Sequence, residues 1–434
     1  MKQIGIFICN YNKAEMVVKC VQAIKEQTYQ DFDIYVVDNA STDQSVEMLR
    51  QTYEDTITIL QNEQNMGGSG GFGRGIRTAL EAGYPYFMLI DNDAFLDRKT
   101  VEELYKYMEK HGDVGICGAE TLYLQDPAKV QDLGGKIDLS RFQWGGIISG
   151  MTELHGNVIL ECDYVASCSV MARTSAVRVF GGFPEDNFIY WDDIEWCTKC
   201  WRAGYKVVVN GNAKALHDMS GASVRNMFLR YYANRNRYKF FAKYLPEERL
   251  EEFFLYITDE FLSQSYGAAF KKMYGSVFTL WNALDDFMHG ITGRAEDGKI
   301  IPYTEEDNEL AKALKEWNRI LIYMPKHEQS DYNTLNNLLR YIMRYNEDAE
   351  VTTVFGLEDC KEAEYDAVLE LCEHVTKVKD SVLPRIYVDA WKNAIMDDKA
   401  YLYFKNYDIV LQNFRKMYWP LYSKRIKELR NEMF

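Results

Sequence analysis

Two carboxylates two residues apart, Asp91 and Asp93, close the apolar run Phe87–Ile90 in the stretch FMLIDNDAFLD. A Gly83-Tyr84-Pro85 break precedes the run, which therefore reads as a short buried strand. Where a strand runs out, two such carboxylates can turn toward one point. That arrangement suits a hard divalent cation, which takes oxygen ligands and leaves positions open for phosphate oxygens. A second acidic cluster, Trp191-Asp192-Asp193-Ile194-Glu195, opens a helical stretch that runs to Arg202-Ala203-Gly204. Acids are favoured in a first helical turn by the free N–H groups there.

The elements that must position these residues are legible on either side. Residues 3–9 read as a strand broken by Asn10-Tyr11-Asn12, and Lys13–Gln27 carry a helical apolar pattern. Phe32–Val37 is a second strand, ending in Asp38-Asn39-Ala40-Ser41, and Ser41-Thr42-Asp43 is expected to start a helix through Tyr53, with Ser or Thr as N-cap. Thr56–Leu60 is a third strand. A glycine-rich stretch, Asn65–Gly75, then leads into a helix through Ala82. Three strand–helix units with short connections imply an α/β fold: a mostly parallel, Rossmann-like sheet with helices on both faces. Ligands of such sheets sit beyond the C-terminal strand ends, so Asn10, Asp38, Asn65 and Asp91 are expected on one rim. Gly67 and Gly68 fall where a loop either turns tightly or lets a ligand approach the backbone. Further on, Val114–Leu124, Val130–Leu139, Cys162–Ala172 and Tyr205–Asn210 read as strands, Phe142–Gly146 as a loop, and Ala176–Phe180 as a helix.

The 434 residues are 47% apolar and 26% charged, which suits a globular chain of two domains, or of one large domain with an appendage. No run approaches the length of a membrane span, and the N-terminal strand is too soon polar for a signal peptide. The nine cysteines read as reduced thiols in a cytoplasmic protein, with Cys197-x-x-Cys200 structural. A formal charge of -15 argues against a nucleic-acid partner.

In order and spacing, residues 1–245 resemble the inverting family-2 glycosyltransferases of GT-A fold. The resemblance is carried by the NYN strand end, Val36-Val37-Asp38-Asn39-Ala40-Ser41-Thr42-Asp43, the DxD strand, and Asp192-Asp193 with Arg202-x-Gly204 ten residues on. NMGGSGGFGRG, the WDDxE acidic motif and a downstream histidine are most similar to galactofuranosyltransferases, with rhamnosyltransferases next. The resemblance implies that Asp91, Asp93 and His217 hold Mn²⁺ or Mg²⁺, and that Asp193, crowded by Asp192 and Glu195, is the base that deprotonates the acceptor. It also implies a uridine-linked sugar donor whose nucleoside meets Asn10, Asn12, Asp38, Asn65, Gly67, Gly68 and Asn92, with Arg74 on phosphate. Trp191 either stacks on a sugar ring or belongs to the core.

The stretch Arg225–Tyr244 is basic and aromatic. It reads either as an amphipathic helix with snorkelling cations or as a wall for a diphosphate, with Arg235 and Arg237 nearest the ligand. The expected boundaries are a catalytic domain over 1–244, a helical region over 245–310, and a small α/β domain over 311–434. Within the last, Glu362–Lys379 is expected to be helical and Ala400–Leu411 extended. The basic, aromatic end Phe414–Phe434 suits either an anionic membrane surface or a solvated helix. The expected activity is transfer of a hexosyl unit, galactofuranose first, to a lipid-linked bacterial surface glycan. The rival is a catalytically silent sugar-nucleotide-binding scaffold, and the joint presence of Asp91, Asp93, Asp193 and His217 speaks against it.

Overall fold

The computed structural model describes residues 2–147, 158–218, 226–303, 308–326, 329–358, 361–379 and 385–434. The chain folds into two compact units, residues 1–245 with 289–296, and residues 246–288 with 297–434.

The first unit starts as β1 (Ile4–Asn10), α1 (Ala14–Lys25), β2 (Phe32–Asp38), α2 (Ser45–Tyr53), β3 (Thr58–Gln61), α3 (Gly67–Ala82) and β4 (Tyr86–Asp91). It continues with β5 (Ala94–Leu96), α4 (Thr100–Lys110), β6 (Val114–Tyr123), β7 (Asp126–Asp132), β8 (Gly135–Asp138), β9 (Gln143–Gly146), β10 (Ile159–Cys162), β11 (Ser169–Arg173) and α5 (Thr174–Phe180). It ends with α6 (Asp192–Arg202), β12 (Lys206–His217) and α7 (Met227–Tyr244). Ten strands form one sheet along the path β10-β12-β6-β11-β4-β1-β2-β3, with β5 on β12 and β7 on β6. Along that path only β10 and β11 run against the other strands. This is the GT-A-like, mostly parallel sheet with helices on both faces.

β1 and β4 lie mid-sheet, so both of their faces must be apolar. Met88 and Ile90 of β4 join the layer under α1, α2 and α4, with Val17, Val21, Leu49 and Leu104. Phe87 and Leu89 face the other way, onto Phe72, Ile76 and Ala79 of α3 and Trp196, Cys197 and Cys200 of α6. Fully burying such a side chain contributes about 1.5–3 kcal/mol, so this alternation fixes the level at which β4 reaches the rim. The eight described cysteines are all free, Cys197 and Cys200 among them.

Several local expectations change. The glycine-rich stretch is already helix, because α3 begins at Gly67. Its glycines let the helix lie close to its neighbours: a Cβ at Gly71 would meet Cys9 Sγ at 2.4 Å, and one at Gly75 would meet Phe7 Cβ at 3.0 Å. α2 starts at Ser45, later than expected: the Ser41 hydroxyl is bound to Asp38, and the Asp43 carboxylate accepts from the Ser45 N–H at 3.0 Å. The stretches 130–139 and 162–172 each break, and 143–146 pairs with β8.

The second unit comprises α8 (Glu247–Phe270), α9 (Tyr274–Met288), α10 (Glu309–Leu314), β13 (Arg319–Tyr323), α11 (Gln329–Tyr345), β14 (Glu350–Val354), β15 (Ala367–Leu371), β16 (Ile386–Val388), β17 (Ala394–Ile395), α12 (Asp398–Lys405) and α13 (Tyr407–Met433). Its sheet runs β14-β13-β15-β16-β17. Two expectations fail here. Part of 362–379 is strand β15, whose Ala367, Val368, Leu369 and Leu371 are buried and pair with β13 and β16. Residues 400–411 are helical, because the Asp397 carboxylate caps α12 by accepting from the Ala400 N–H at 2.7 Å.

Candidate active site

β1, β2 and β4 end level: Asn10 pairs with Asp38, and Cys9 with both Val37 and Asp91. Asp91 is the last residue of β4. The chain then turns through Asn92 and Asp93 into β5, which runs antiparallel to β12 and sets Ala94 opposite His217. That pairing carries a histidine from far along the chain to the two carboxylates. One ligand atom from each of Asp91, Asp93 and His217 lies within 4.8 Å of the others. His217 Nε2 is 3.3 Å from Asp93 and 3.9 Å from Asp91, and Nδ1 faces the side-chain amide of Gln131 at 2.9 Å. The Lys13 ammonium, absent from the sequence-based site, also donates to Asp93. A cationic group therefore already rests against this oxygen–oxygen–nitrogen set. Two carboxylates and an imidazole match the donors of Mn²⁺, so the residues fit a divalent cation.

The electrostatics follow from crowding. Burial and the neighbouring Asp93 charge push the Asp91 carboxyl up to about 6, and His217 and Lys13 oppose the rise. Burial would raise Asp93 as well, but hydrogen bonds from His217 and Lys13 outweigh it and hold that carboxyl below its ordinary range. Burial works against a charged His217, and Asp93 and Asp91 still hold its ring above the ordinary value.

α6 presents the second acidic pair. Asp192 is buried and accepts from the Ser69 hydroxyl at 2.6 Å, while Asp193 keeps solvent contact. Burial first, then the Asp192 charge, pushes the Asp193 carboxyl up to about 8, with Asp132 and Asp91 adding to the rise. Glu195 contributes less than the sequence suggested, because it is buried against Lys243 at 2.7 Å and Tyr244 at 3.3 Å.

The residues assigned to a nucleoside form a closed network. Asp38 accepts from Asn10 at 3.0 Å and from the Ser41 hydroxyl and N–H at 2.6 and 3.0 Å, and Asn92 donates to Asn10 at 2.7 Å. Asn12, in a left-handed conformation (φ +51°), accepts from the Thr42 N–H at 2.7 Å. The network orders the β1 and β2 loops, and Asp38 and Asn10 are themselves fully buried. Asn65 accepts from the Gly67 N–H at 2.8 Å. A Cβ at Gly68 would meet nothing within 4 Å. Arg74 donates to the Gln61 carbonyl and to Asn62, each at 2.6 Å, and so braces the end of β3.

The assignments to a sugar or a diphosphate shift. Trp191 is 4% exposed and packs on Phe240 and Phe241, so it belongs to the core. Trp144, 39% exposed, meets Trp191 edge-on, and the Arg237 guanidinium lies 5.3 Å from its ring centroid. Arg235 is buried beneath the rings of Tyr231 and Tyr232 and donates to the Asn187 carbonyl at 3.1 Å. Arg225 lies outside the described residues. Before α6, Phe188, Tyr190 and Trp191 all take positive φ, at +67°, +65° and +67°. Each costs roughly 1–3 kcal/mol for a side-chain-bearing residue, and surrounding contacts must offset that. Sequence reasoning missed Lys13, Ser69, Trp144 and Asn236. Only Lys13, a cation directly after the rim residues Asn10-Tyr11-Asn12, left a local signal.

Residues 5–151 match the family model of glycosyl transferase family 2, and residues 86–281 match that of glycosyl transferase family group 2. The chain is 31% identical over 116 residues to glycosyltransferase GlyG of Streptococcus pneumoniae, covering 26% of this chain and 38% of that protein. It is 22% identical over 212 residues to the O-antigen chain rhamnosyltransferase WbaN of Salmonella anatum, covering 48% of this chain and 64% of the relative. Both alignments span less than two thirds of the relative's own length. S. aureus TarS 1-349, solved in complex with UDP-GlcNAc, is similar at a TM-score of 0.43 and 16% identity, over 67% of this chain and 82% of that one. The two matches overlap over residues 86–151, each covers less than half of the chain, and together they support a family-2 glycosyltransferase.

Proposed function

We propose that this protein is an inverting, metal-dependent glycosyltransferase that moves a hexosyl unit from a nucleoside diphosphate sugar to a bacterial surface glycan. The observation that carries this reading is the convergence of Asp91, Asp93 and His217 within 4.8 Å, on the rim from which Asp193 also reaches solvent. These three residues would hold Mn²⁺ or Mg²⁺, and a divalent ion there supplies neutralisation of the charge developing on the leaving diphosphate. Asp193 accepts the proton of the acceptor hydroxyl as that oxygen bonds to the anomeric carbon. The carbon–oxygen bond to the diphosphate breaks, and the nucleoside diphosphate leaves from the opposite face. A carboxylate whose pKa has been raised is a stronger proton acceptor than an ordinary one. Asp192, tied to Ser69, positions its neighbour.

The donor is read as UDP-linked and the sugar as galactofuranose, on the motif resemblance of residues 65–75 and 191–195. The similarity to the rhamnosyltransferase WbaN supports rhamnose as the second reading. The acceptor is read as lipid-linked, at the inner face of the plasma membrane. No described helix is long and apolar enough to cross a membrane. The exposed row Val410, Met417 and Leu421 on α13, with Lys416, Lys424 and Lys427, supports peripheral contact instead. The test is donor hydrolysis and transfer by purified protein with a panel of sugar nucleotides, with and without chelator. Metal-dependent turnover of one donor is expected. Binding without turnover of any donor would leave a scaffold.

A further inference from the structure

The segment Asn187–Trp191 runs from the end of the 3-10 turn Glu185–Asn187 to the start of α6, and it delivers both acids of that helix. Its backbone carbonyls are all engaged. Asn187 accepts from Arg235 Nη2 at 3.1 Å and from Asn236 Nδ2 at 3.0 Å. The Phe188 carbonyl accepts from the Ser69 N–H at 3.1 Å. Ile189 and Tyr190 both accept from Asn236 Nδ2, at 2.8 and 3.0 Å, and Trp191 accepts from the Glu195 N–H at 3.0 Å. One side-chain amide thus collects three carbonyls of a segment in which three residues with side chains sit at positive φ. The buried Lys239 extends the grip, donating to Asn187 Oδ1 at 2.8 Å and pairing with Asp186. On the opposite side stands the start of α3. A Cβ at Gly67 would lie 2.0 Å from the Phe188 carbonyl oxygen, and the Ser69 hydroxyl holds Asp192.

We propose that Asn236, backed by Arg235 and opposed by Gly67 and Ser69, is the positioning residue that holds this segment in its left-handed path and so sets the Asp193 carboxylate. On this reading the start of the glycine-rich stretch serves the base, by letting α3 close on the segment at Gly67. Asn236 itself contacts no substrate. Residues held in sparsely populated conformations persist only when their surroundings over-determine them, and here the surroundings are two helix faces with matched donors. The inference rests on the glycosyl-transfer reading only for its kinetic arm.

Two full-length variants test it. Asn236→Ala removes the donor amide, and Gly67→Ala puts a side chain at φ +71° and pushes on the Phe188 carbonyl from the other side. Each should lower kcat for transfer by about 10²-fold, as small misplacements of catalytic groups do. Donor KM should stay at the wild-type value. Hydrogen exchange of the amides in 187–193 should accelerate in both variants while exchange in β1 and β4 stays protected. The double variant should fall short of the product of the two single effects, since both act through one segment. Unchanged exchange over 187–193 in Asn236→Ala would overturn the proposal, as would a loss appearing in donor KM or two effects that simply multiply. The exchange measurement needs no turnover. If the wild-type protein transferred no sugar, the proposed function would fall and the exchange arm would still decide this inference.

Discussion

The two sheets of this protein obey the same rule and end differently. In the first unit, β1, β2 and β4 run parallel, and the apolar β4 gives way at its C-terminal end to Asp91-Asn92-Asp93. In the second unit, β13, β14 and β15 also run parallel, with Ile320, Leu321, Ile322 and Leu369 fully buried. There β13 ends in Tyr323-Met324-Pro325 and β15 in Leu371-Cys372-Glu373-His374. Among the described residues, the one group of three with ligand atoms in reach of a shared ion is in the first unit. A parallel sheet supplies a rim, and chemistry there needs side chains whose charge the rim itself perturbs. Asp91, Asp93, Asp193 and His217 are all shifted by burial and by one another, which marks them as candidates for function. In the second unit, the His374 ring stacks on Trp391 at 4.7 Å, and burial lowers its affinity for a proton, as in a packed core. Chemistry is accordingly expected to end near Tyr244, with residues 245–434 shaping acceptor access or assembly.

The largest expected effect comes from emptying the rim. Asp93→Ala removes a proposed metal ligand and the partner of both His217 and Lys13. Metal-dependent donor hydrolysis should vanish while the circular dichroism spectrum stays native. Full activity of this variant in the presence of chelator would end the contrast between the sheets.

Next comes the proposed base. Asp193→Asn keeps the size of the side chain but accepts no proton, and loss of a general base typically costs about 10²–10⁴ in rate. Donor affinity, read by calorimetry, should be unchanged. Because the Asp193 carboxyl is pushed up to about 8, kcat/KM of the free enzyme should climb with pH through that region, far above where an ordinary aspartate titrates. Stability has the opposite sign. A carboxyl whose folded pKa exceeds its unfolded value favours the fold below the unfolded pKa, and this contribution is lost as pH rises through the folded one. Asp193→Asn should therefore melt at a higher temperature than wild type at pH 9, and the gap should narrow as pH falls below about 8 and close only at about pH 4, the unfolded value. A wild-type rate profile flat from pH 6 to 9 would move the proton-accepting role elsewhere.

These residues also show how far sequence reached. Period and punctuation gave β1 to β4 and their helices, because mid-sheet strands must be apolar on both faces and loops must be polar. The DxD pair was visible as an interruption of such a strand. The joining of His217 to it was implied by a resemblance and explained only by the pairing of β5 with β12, which has no local signature. The glycines of 67–75 signalled a loop, since glycine is costly inside a helix, and tertiary packing overrode that preference. Trp191 and Arg235 looked like ligand contacts because large polar-tipped side chains suit ligands. They are equally suited to bracing a strained turn, and burial decides between the two. In the second unit the periodicity of 362–379 misled because AVLEL fits a helix face or a central strand equally well.

The nucleoside test is smaller in effect. UDP should bind more tightly than GDP by roughly 1–3 kcal/mol, the cost of burying an unmatched polar edge. Titration calorimetry with UDP, dTDP and GDP measures it. Tighter GDP would remove the uridine reading, and tighter dTDP would favour the rhamnosyl donor.

The smallest expected effect lies in the second unit, where the comparison predicts no chemistry at all. Helix α13 leaves Val410, Met417 and Leu421 exposed on one side, among Lys416, Lys427 and Lys424, the last paired with Glu428 at 3.6 Å, in a chain of net charge -15. An apolar row flanked by cations in an acidic protein matches an anionic lipid surface, where each Lys contributes roughly 1 kcal/mol. Met417→Glu with Leu421→Glu changes exposed positions only, so the fold and donor hydrolysis should be untouched. Co-sedimentation with anionic vesicles should fall in the double variant, and it should fall for the wild type as salt shortens the Debye length from about 10 Å at 0.1 M to about 3 Å at 1 M. Equal binding by both proteins would strip α13 of a membrane role. Loss of donor hydrolysis along with vesicle binding would break the comparison itself, by tying the second unit to the chemistry of the first.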